Sequence, residues 1–225
     1  MTQTNIRRTL QETVAENLSI CEGLHCNGCV RANAIILFSD IRGYTTFSED
    51  KDPKIVMSYI NDYFELGTGL IVQHGGVIDK YLGDGILAVF GLQTENLKTA
   101  LPQALSASVA FQQAFMSLVD RWIVSDGSTR NLTMGIGINA GRVIVAQIGP
   151  KDDPQVTVFG DVVNTASRMC SFAQGGEIIL SDHFQETIEG HLNTVNQRVM
   201  FKGKLQPTRI LRYKVIPEKN TGVKI

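Results

Sequence analysis

Residues 77–90 constrain the fold of this chain more than any other stretch. Two short apolar strands, 77–82 and 86–90, are joined by Gly83-Asp84-Gly85, and Asp-Gly between apolar strands is a strong hairpin signal. Helices bracket the hairpin. Upstream, Asp52 caps a helix with Pro53 at its first position. Ile55, Val56, Tyr59, Ile60, Tyr63, Phe64, Leu70 and Ile71 keep a helical period until His74-Gly75-Gly76 stops it. Downstream, a second long helix is expected over 99–123. A buried strand over 34–39 precedes the first helix, and a strand over 132–139 follows the second.

That order is β-α-β-β-α-β, the split βαβ arrangement. It predicts an α+β, ferredoxin-like and palm-like fold, with an antiparallel or mixed sheet and flanking helices. After it come a turn at Gly141-Arg142, strands over 143–148 and 155–159, and a helix over 161–172 ended by Gly175-Gly176. A strand over 177–180, a short helix from Asp182 and strands near 195–201 and 209–215 complete the pattern. Residues 1–30, with Leu10, Val14 and Leu18 in weak period, read as a lead-in or linker helix. Residues 31–217 read as one domain and 218–225 as a tail.

Bulk properties exclude several function classes. A hydrophobic fraction of 43% is ample for a core without a disulfide scaffold. A net charge of −1 with no basic stripe argues against nucleic-acid binding, which needs many phosphates neutralised. No apolar run is long enough to span a bilayer, and the first residues lack the apolar core of a signal peptide, so a cytoplasmic location is expected. Cys21, Cys26 and Cys29 cluster beside His25, but no second Cys/His pair follows at zinc-knuckle spacing. Reduced thiols are the favoured reading.

Two carboxylates carry the chemical expectation. Asp40 ends the strand over 34–39 and Asp84 sits at the hairpin tip. In a split βαβ sheet these strands are neighbours, so the carboxylates converge at one edge. Paired carboxylates with open coordination positions suit Mg²⁺ shared with a triphosphate. Either aspartate alone is equally well explained as a turn residue. Asn164 and Arg168, four apart on the third helix, project to one face. Lys80, beside Ile78 and Leu82 on an apolar strand, needs a reason to be there.

The surrounding residues are more specific. Phe38-Ser39-Asp40-Ile41-Arg42-Gly43-Tyr44-Thr45 resembles the first metal motif of class III nucleotidyl cyclases, and residues 80–90, from Lys80 through Asp84 to Phe90, resemble the second. Residues 137–143 and 158–168 resemble two later motifs, in family order and spacing. The chain thus resembles a class III adenylyl cyclase catalytic domain. That resemblance implies conversion of ATP to 3′,5′-cyclic AMP and pyrophosphate by in-line attack of the ribose 3′ oxygen. It also implies two divalent ions, Mg²⁺ or Mn²⁺, at sites shared across a homodimer. Asp40 and Asp84 would ligate the metals, with the Ile41 carbonyl as an extra ligand. Lys80 and Thr157 would read the adenine, Asn164 would orient the ribose, and Arg168 would stabilise charge on the α-phosphate. Arg142 matches a triphosphate arginine and Lys202 a phosphate lysine, with Lys204 as a near-equivalent neighbour.

Adenine offers an amine donor and an N1 acceptor, which suits Lys80 with Thr157, whereas guanine presents the reverse pattern. Threonine at 157 also resembles the bicarbonate- or CO₂-responsive subgroup, which implies an inorganic-carbon activator. The competing readings are a guanylyl cyclase and a catalytically inactive regulatory homologue. The motif of cyclic-dinucleotide synthases is absent, as is a Walker A sequence. Gly135-Ile136-Gly137 lacks the spacing of a dinucleotide fingerprint.

Overall fold

The computed structural model describes residues 10, 11, 14, 29–92, 96–150, 152–189 and 192–216. In chain order, β1 (Cys29–Arg42), α1 (Tyr44–Ser48), α2 (Pro53–Gln73), β2 (Val77–Leu82), β3 (Gly85–Phe90), α3 (Leu97–Ser125) and β4 (Thr133–Ile148) form the first half. β5 (Gln155–Phe159), α4 (Asp161–Phe172), β6 (Glu177–Ser181), α5 (Gln185–Ile188), β7 (Thr194–Val199) and β8 (Thr208–Lys214) follow. The sheet order is β2-β3-β1-β4-β6-β8-β7, with β5 paired to β4. The β4–β6 pair is parallel and the others are antiparallel, so the fold is the expected α+β arrangement with a mixed sheet.

Alternation along β1 explains the layers. Ile35 and Leu37 face one core with α2 and α3, while Ala34 and Ile36 face a second with α4 and the Leu10 and Val14 side chains. A central strand buried on both faces reads as the near-continuous apolar run seen in the sequence. On the first face, Tyr63 stacks on Phe111 with ring centroids 5.3 Å apart and meets Phe115 edge-on at 5.7 Å. The Tyr63 hydroxyl pairs with Ser39 Oγ at 2.7 Å, which ties α2 to β1 directly beneath Asp40.

Local chemistry sets the ends of α2. Asp52 accepts from the Lys54 amide at 2.8 Å with Pro53 at the first helical position. At the other end, Gly76 N–H donates to the Ile71 carbonyl at 2.9 Å and Gly75 N–H to Val72 at 3.0 Å, a Schellman closure.

Two details differ from the sequence reading. Leu82 pairs with Gly85, so the hairpin turn consists of Gly83 and Asp84, and Gly85 belongs to the strand. Gly83 has φ +63° and Asp84 does not have positive φ, the pattern that places glycine first in a two-residue turn. The turn expected at Gly141-Arg142 is absent: β4 runs straight through it. The reason is the partner strand, because β1 begins at Cys29 and holds continuous register from Arg42↔Thr133 to Cys29↔Ala146. Cys21, Cys26, His25, Leu18 and the 218–225 tail lie outside the described residues, and Cys29 is exposed at the start of β1.

Helix α4 lies unusually close to β4 because Gly137 carries no side chain. A Cβ there would stand 2.1 Å from the Cys170 amide nitrogen and 2.5 Å from the Ala166 carbonyl oxygen. Both contacts are backbone and cannot turn aside. Gly137→Ala is expected to lower unfolding stability by about 1–3 kcal/mol, read as a lower urea midpoint with an unchanged m-value.

Candidate active site

Asp40 ends the β1–β3 ladder opposite Gly85, one residue beyond Asp84. The register therefore brings the two carboxylates side by side at one sheet edge. Burial and the neighbouring Asp40 charge push the Asp84 carboxyl up, against the pull of the Asp84 and Ile41 backbone amides. Burial likewise raises Asp40, eased by the Arg42 guanidinium. A cation between them would relieve both effects. In a strand the N–H and C=O of one residue point to the same edge. Because the Ile41 amide bonds Asp84, its carbonyl faces the same side, past the end of β3.

This is a hard-oxygen donor set. Among the described residues no group of three His, Cys, Asp or Glu forms a closed metal site. Two carboxylates and a backbone carbonyl fit Mg²⁺ or Mn²⁺ with positions left for ligand oxygens.

Arg42 was not singled out from sequence, although its position two residues after Asp40 puts it on the same face of β1. Its guanidinium pairs with Asp40, donates to the Cys170 carbonyl, and donates through Nε to the Ala173 carbonyl at 3.1 Å. These carbonyls close the C-terminal end of α4, the negative end of the helix. Arg42 thus fixes Asp40 and the helix end together.

Lys80 and Thr157 meet although they lie on different strands. Lys80 Nζ donates to Thr157 Oγ1 at 2.7 Å, and Thr157 Oγ1 donates to Asp79 Oδ2 at 2.8 Å. A bulge produces this contact. The β2–β3 register runs Ile78↔Ala88 and then Lys80↔Leu87, which leaves Asp79 as the extra residue. Tyr81 returns to the α2 side, where its hydroxyl pairs with Thr68 at 2.8 Å and its ring meets Phe64 at 4.4 Å. Lys80 is thereby turned away from the helical core, which answers why a lysine tolerates this strand. Burial pushes the Asp79 carboxyl up, while Thr157 and Lys80 pull it back.

Helix α4 carries the remaining groups. Val163, Ala166, Met169 and Cys170 are buried, leaving Asn164 exposed and Arg168 half-buried on the outer side. A Cβ on Gly203 would stand 3.3 Å from the Arg168 guanidinium, so the loop holding Lys202 packs beside Arg168. Lys204 Nζ is bonded to Asp161 at 2.5 Å at the start of α4, whereas Lys202 is exposed. That pairing separates two lysines the sequence left equivalent. Arg142 is exposed on β4, with its carbonyl near the Gly160 backbone that caps α4. Among the described residues no hydrogen bond or ion pair links Asp40 or Asp84 to Asn164, Arg168, Arg142 or Lys202.

Comparison with known proteins bears on the family and the fold. Residues 30–215 fit the family described as the adenylate and guanylate cyclase catalytic domain. An adenylate cyclase of Anabaena cylindrica is 33% identical over 187 residues, covering 80% of this chain and 36% of that protein. The receptor-type guanylate cyclase gcy-7 of Caenorhabditis elegans is 30% identical over 200 residues, covering 88% of this chain and 17% of that protein. Among solved structures, the adenylyl cyclase CyaB of P. aeruginosa has a TM-score of 0.77 at 28% identity, covering 85% of this chain and 97% of that one. The guanylyl cyclase Cya2 has a TM-score of 0.75 at 33% identity, covering 86% and 98%. The chain spans 36% or less of the length of these curated relatives.

The Arg42 network makes a stability prediction independent of chemistry. Arg42→Ala removes charge-assisted bonds to the Cys170 and Ala173 carbonyls at the end of α4 and should cost about 1.5–3 kcal/mol. Urea unfolding of the variant measures it.

Proposed function

The chain belongs to the family of adenylate and guanylate cyclase catalytic domains, and from that premise we propose that it converts ATP to 3′,5′-cyclic AMP and pyrophosphate. The observation that carries the choice of ATP is the 2.7 Å bond between Lys80 and Thr157. A lysine donor beside a threonine acceptor suits the N1 and 6-amino groups of adenine, and GTP, offering the reverse pattern, is the competing substrate.

The remaining roles follow from position. Asn164 orients the ribose so that its 3′ oxygen stands in line with the α-phosphorus. The 3′ oxygen–phosphorus bond forms as the bond to the β-phosphate oxygen breaks. Pyrophosphate leaves with the electron pair, and the hydroxyl proton passes to solvent. Arg168 offsets charge developing on the α-phosphate without having to reorganise. Arg142 and Lys202 hold the triphosphate. Asp40, Asp84 and the Ile41 carbonyl would hold two divalent ions, which would supply Lewis acidity to the reacting phosphate.

That no hydrogen bond or ion pair joins Asp40 or Asp84 to Asn164 or Arg168 among the described residues accords with sites completed across a homodimer. Exposed apolar side chains near the reading pair support an interface there: Ile144 and Phe159, partners across the β4–β5 ladder, are 39% and 41% exposed. Among the described residues no helix is long and apolar enough to cross a membrane, which accords with work in the cytoplasm, where ATP is abundant.

The purified chain given ATP with Mg²⁺ or Mn²⁺ is expected to form cyclic AMP, and Asp84→Ala should reduce turnover by ~10²–10³ or more. Asp40→Ala and Arg168→Ala chains should each be inactive alone. An equal mixture should recover about a quarter of wild-type activity, because half of the dimers then hold one intact site. Failure of the mixture to recover, with dimers shown by light scattering, would count against shared sites.

A further inference from the structure

Asp79 has no part in the roles above. It is the extra residue of the β2 bulge, its side chain is fully buried, and its Oδ1 has no hydrogen-bond partner among the described residues. A buried carboxylate left half satisfied weakens a fold rather than strengthening it. Its presence is explained by what its other oxygen does.

Oδ2 accepts from Thr157 Oγ1 at 2.8 Å and stands 3.5 Å from Lys80 Nζ, which itself donates to Thr157 Oγ1 at 2.7 Å. The polarity of this triangle has one solution. A carboxylate only accepts and an ammonium only donates. The single Thr157 hydroxyl proton is therefore committed to Asp79, and one oxygen lone pair is taken by Lys80. What Thr157 has left for a ligand is an acceptor. Lys80 keeps an N–H to donate. With Thr157 only 2% exposed, water offers little alternative solvation to scramble the arrangement.

Building on the cyclase reading, we infer that Asp79 is the positioning residue that sets base choice, by locking the Thr157 hydroxyl as an acceptor. The locked pair matches the 6-amino donor and N1 acceptor of adenine. Against guanine, Thr157 would face the O6 acceptor and Lys80 the N1–H donor, so both bonds fail. Without Asp79, the hydroxyl rotates about its Cβ–Oγ bond and donates to O6 as readily as it accepts from an amine. Asp79 touches no part of the nucleotide; it acts through Thr157.

The test separates base choice from turnover by using 3′-deoxy-ATP and 3′-deoxy-GTP, which lack the attacking hydroxyl, in calorimetric titrations of the full chain with Mn²⁺. The wild-type chain should bind the adenine analogue more tightly. Asp79→Leu, close in shape and without the buried charge, should shrink that preference about tenfold, the value of one discriminating bond. Asp79→Ala should do the same and provides the measurement if the leucine variant misfolds. Asp79→Asn should retain most of the preference, because the Lys80 ammonium holds the amide oxygen toward Thr157. In a Thr157→Val background, Asp79→Leu should change the preference no further. A wild-type preference that survives in Asp79→Leu and Asp79→Ala, or an equal loss in the Thr157→Val background, overturns the role of Asp79 while leaving the ATP reading intact. A wild-type chain that favours the guanine analogue overturns both.

Discussion

The antiparallel pairing of β1 with β4 is the constraint on which the molecule depends. Fourteen consecutive register pairs join Cys29–Arg42 to β4, and every proposed site group except Lys80 on β2 and Lys202 after β7 hangs from one of these two strands or a direct neighbour. Asp40, Ile41 and Arg42 occupy the end of β1. β3 pairs along its other edge and delivers the turn holding Asp84, while β4 carries Arg142 and supports both β5, with Thr157, and α4, with Asn164 and Arg168. Because the ladder is buried on both faces, a shift of one residue would exchange its two apolar surfaces. The positions of the charged groups are thus set by apolar registry rather than by attraction among the charges themselves.

Electrostatics works against the site as much as for it. Two carboxylates at one edge repel each other, and burial discourages both charges. Arg42 offsets part of this, but its guanidinium is also committed to the carbonyls at the end of α4. Such a site is arranged to be completed by cations and a polyanion, and is less comfortable without them. The Lys80–Thr157–Asp79 triangle differs, since every proton in it except those left to Lys80 already has a partner.

Much of this was legible in the sequence because the relevant signals are local. The helix caps at Asp52 and Gly75, the apolar alternation of β1 and the glycine-flanked hairpin all depend on residues within a few positions of one another. Asp40 and Asp84 could be placed as a strand end and a turn on that basis. The exact turn could not, since glycine on both sides of Asp84 permits either Gly83-Asp84 or Asp84-Gly85 as its centre. Pairing over long distance decided the rest. Gly141-Arg142 looks like a turn until the full length of β1 is known, because only a partner beginning at Cys29 carries the strand through it. Lys202 and Lys204 are indistinguishable until Asp161 is seen to bind one of them. The bulge at Asp79 is visible only against β3, because it is a mismatch in length between two paired strands.

The bulge also bears on how such a site can be lost. Deletion of Asp79 alone would restore an uninterrupted β2–β3 ladder and remove a buried, half-satisfied carboxylate. By the criteria of sheet regularity the shortened strand would be the better one. Lys80 would stay opposite Leu87, turned away from the helices, but Thr157 would lose the carboxylate that holds its hydroxyl proton. Selection for stability alone therefore runs toward erasing the group that orients Thr157, and a chain that keeps the irregularity is one in which recognition has been favoured over the simpler fold.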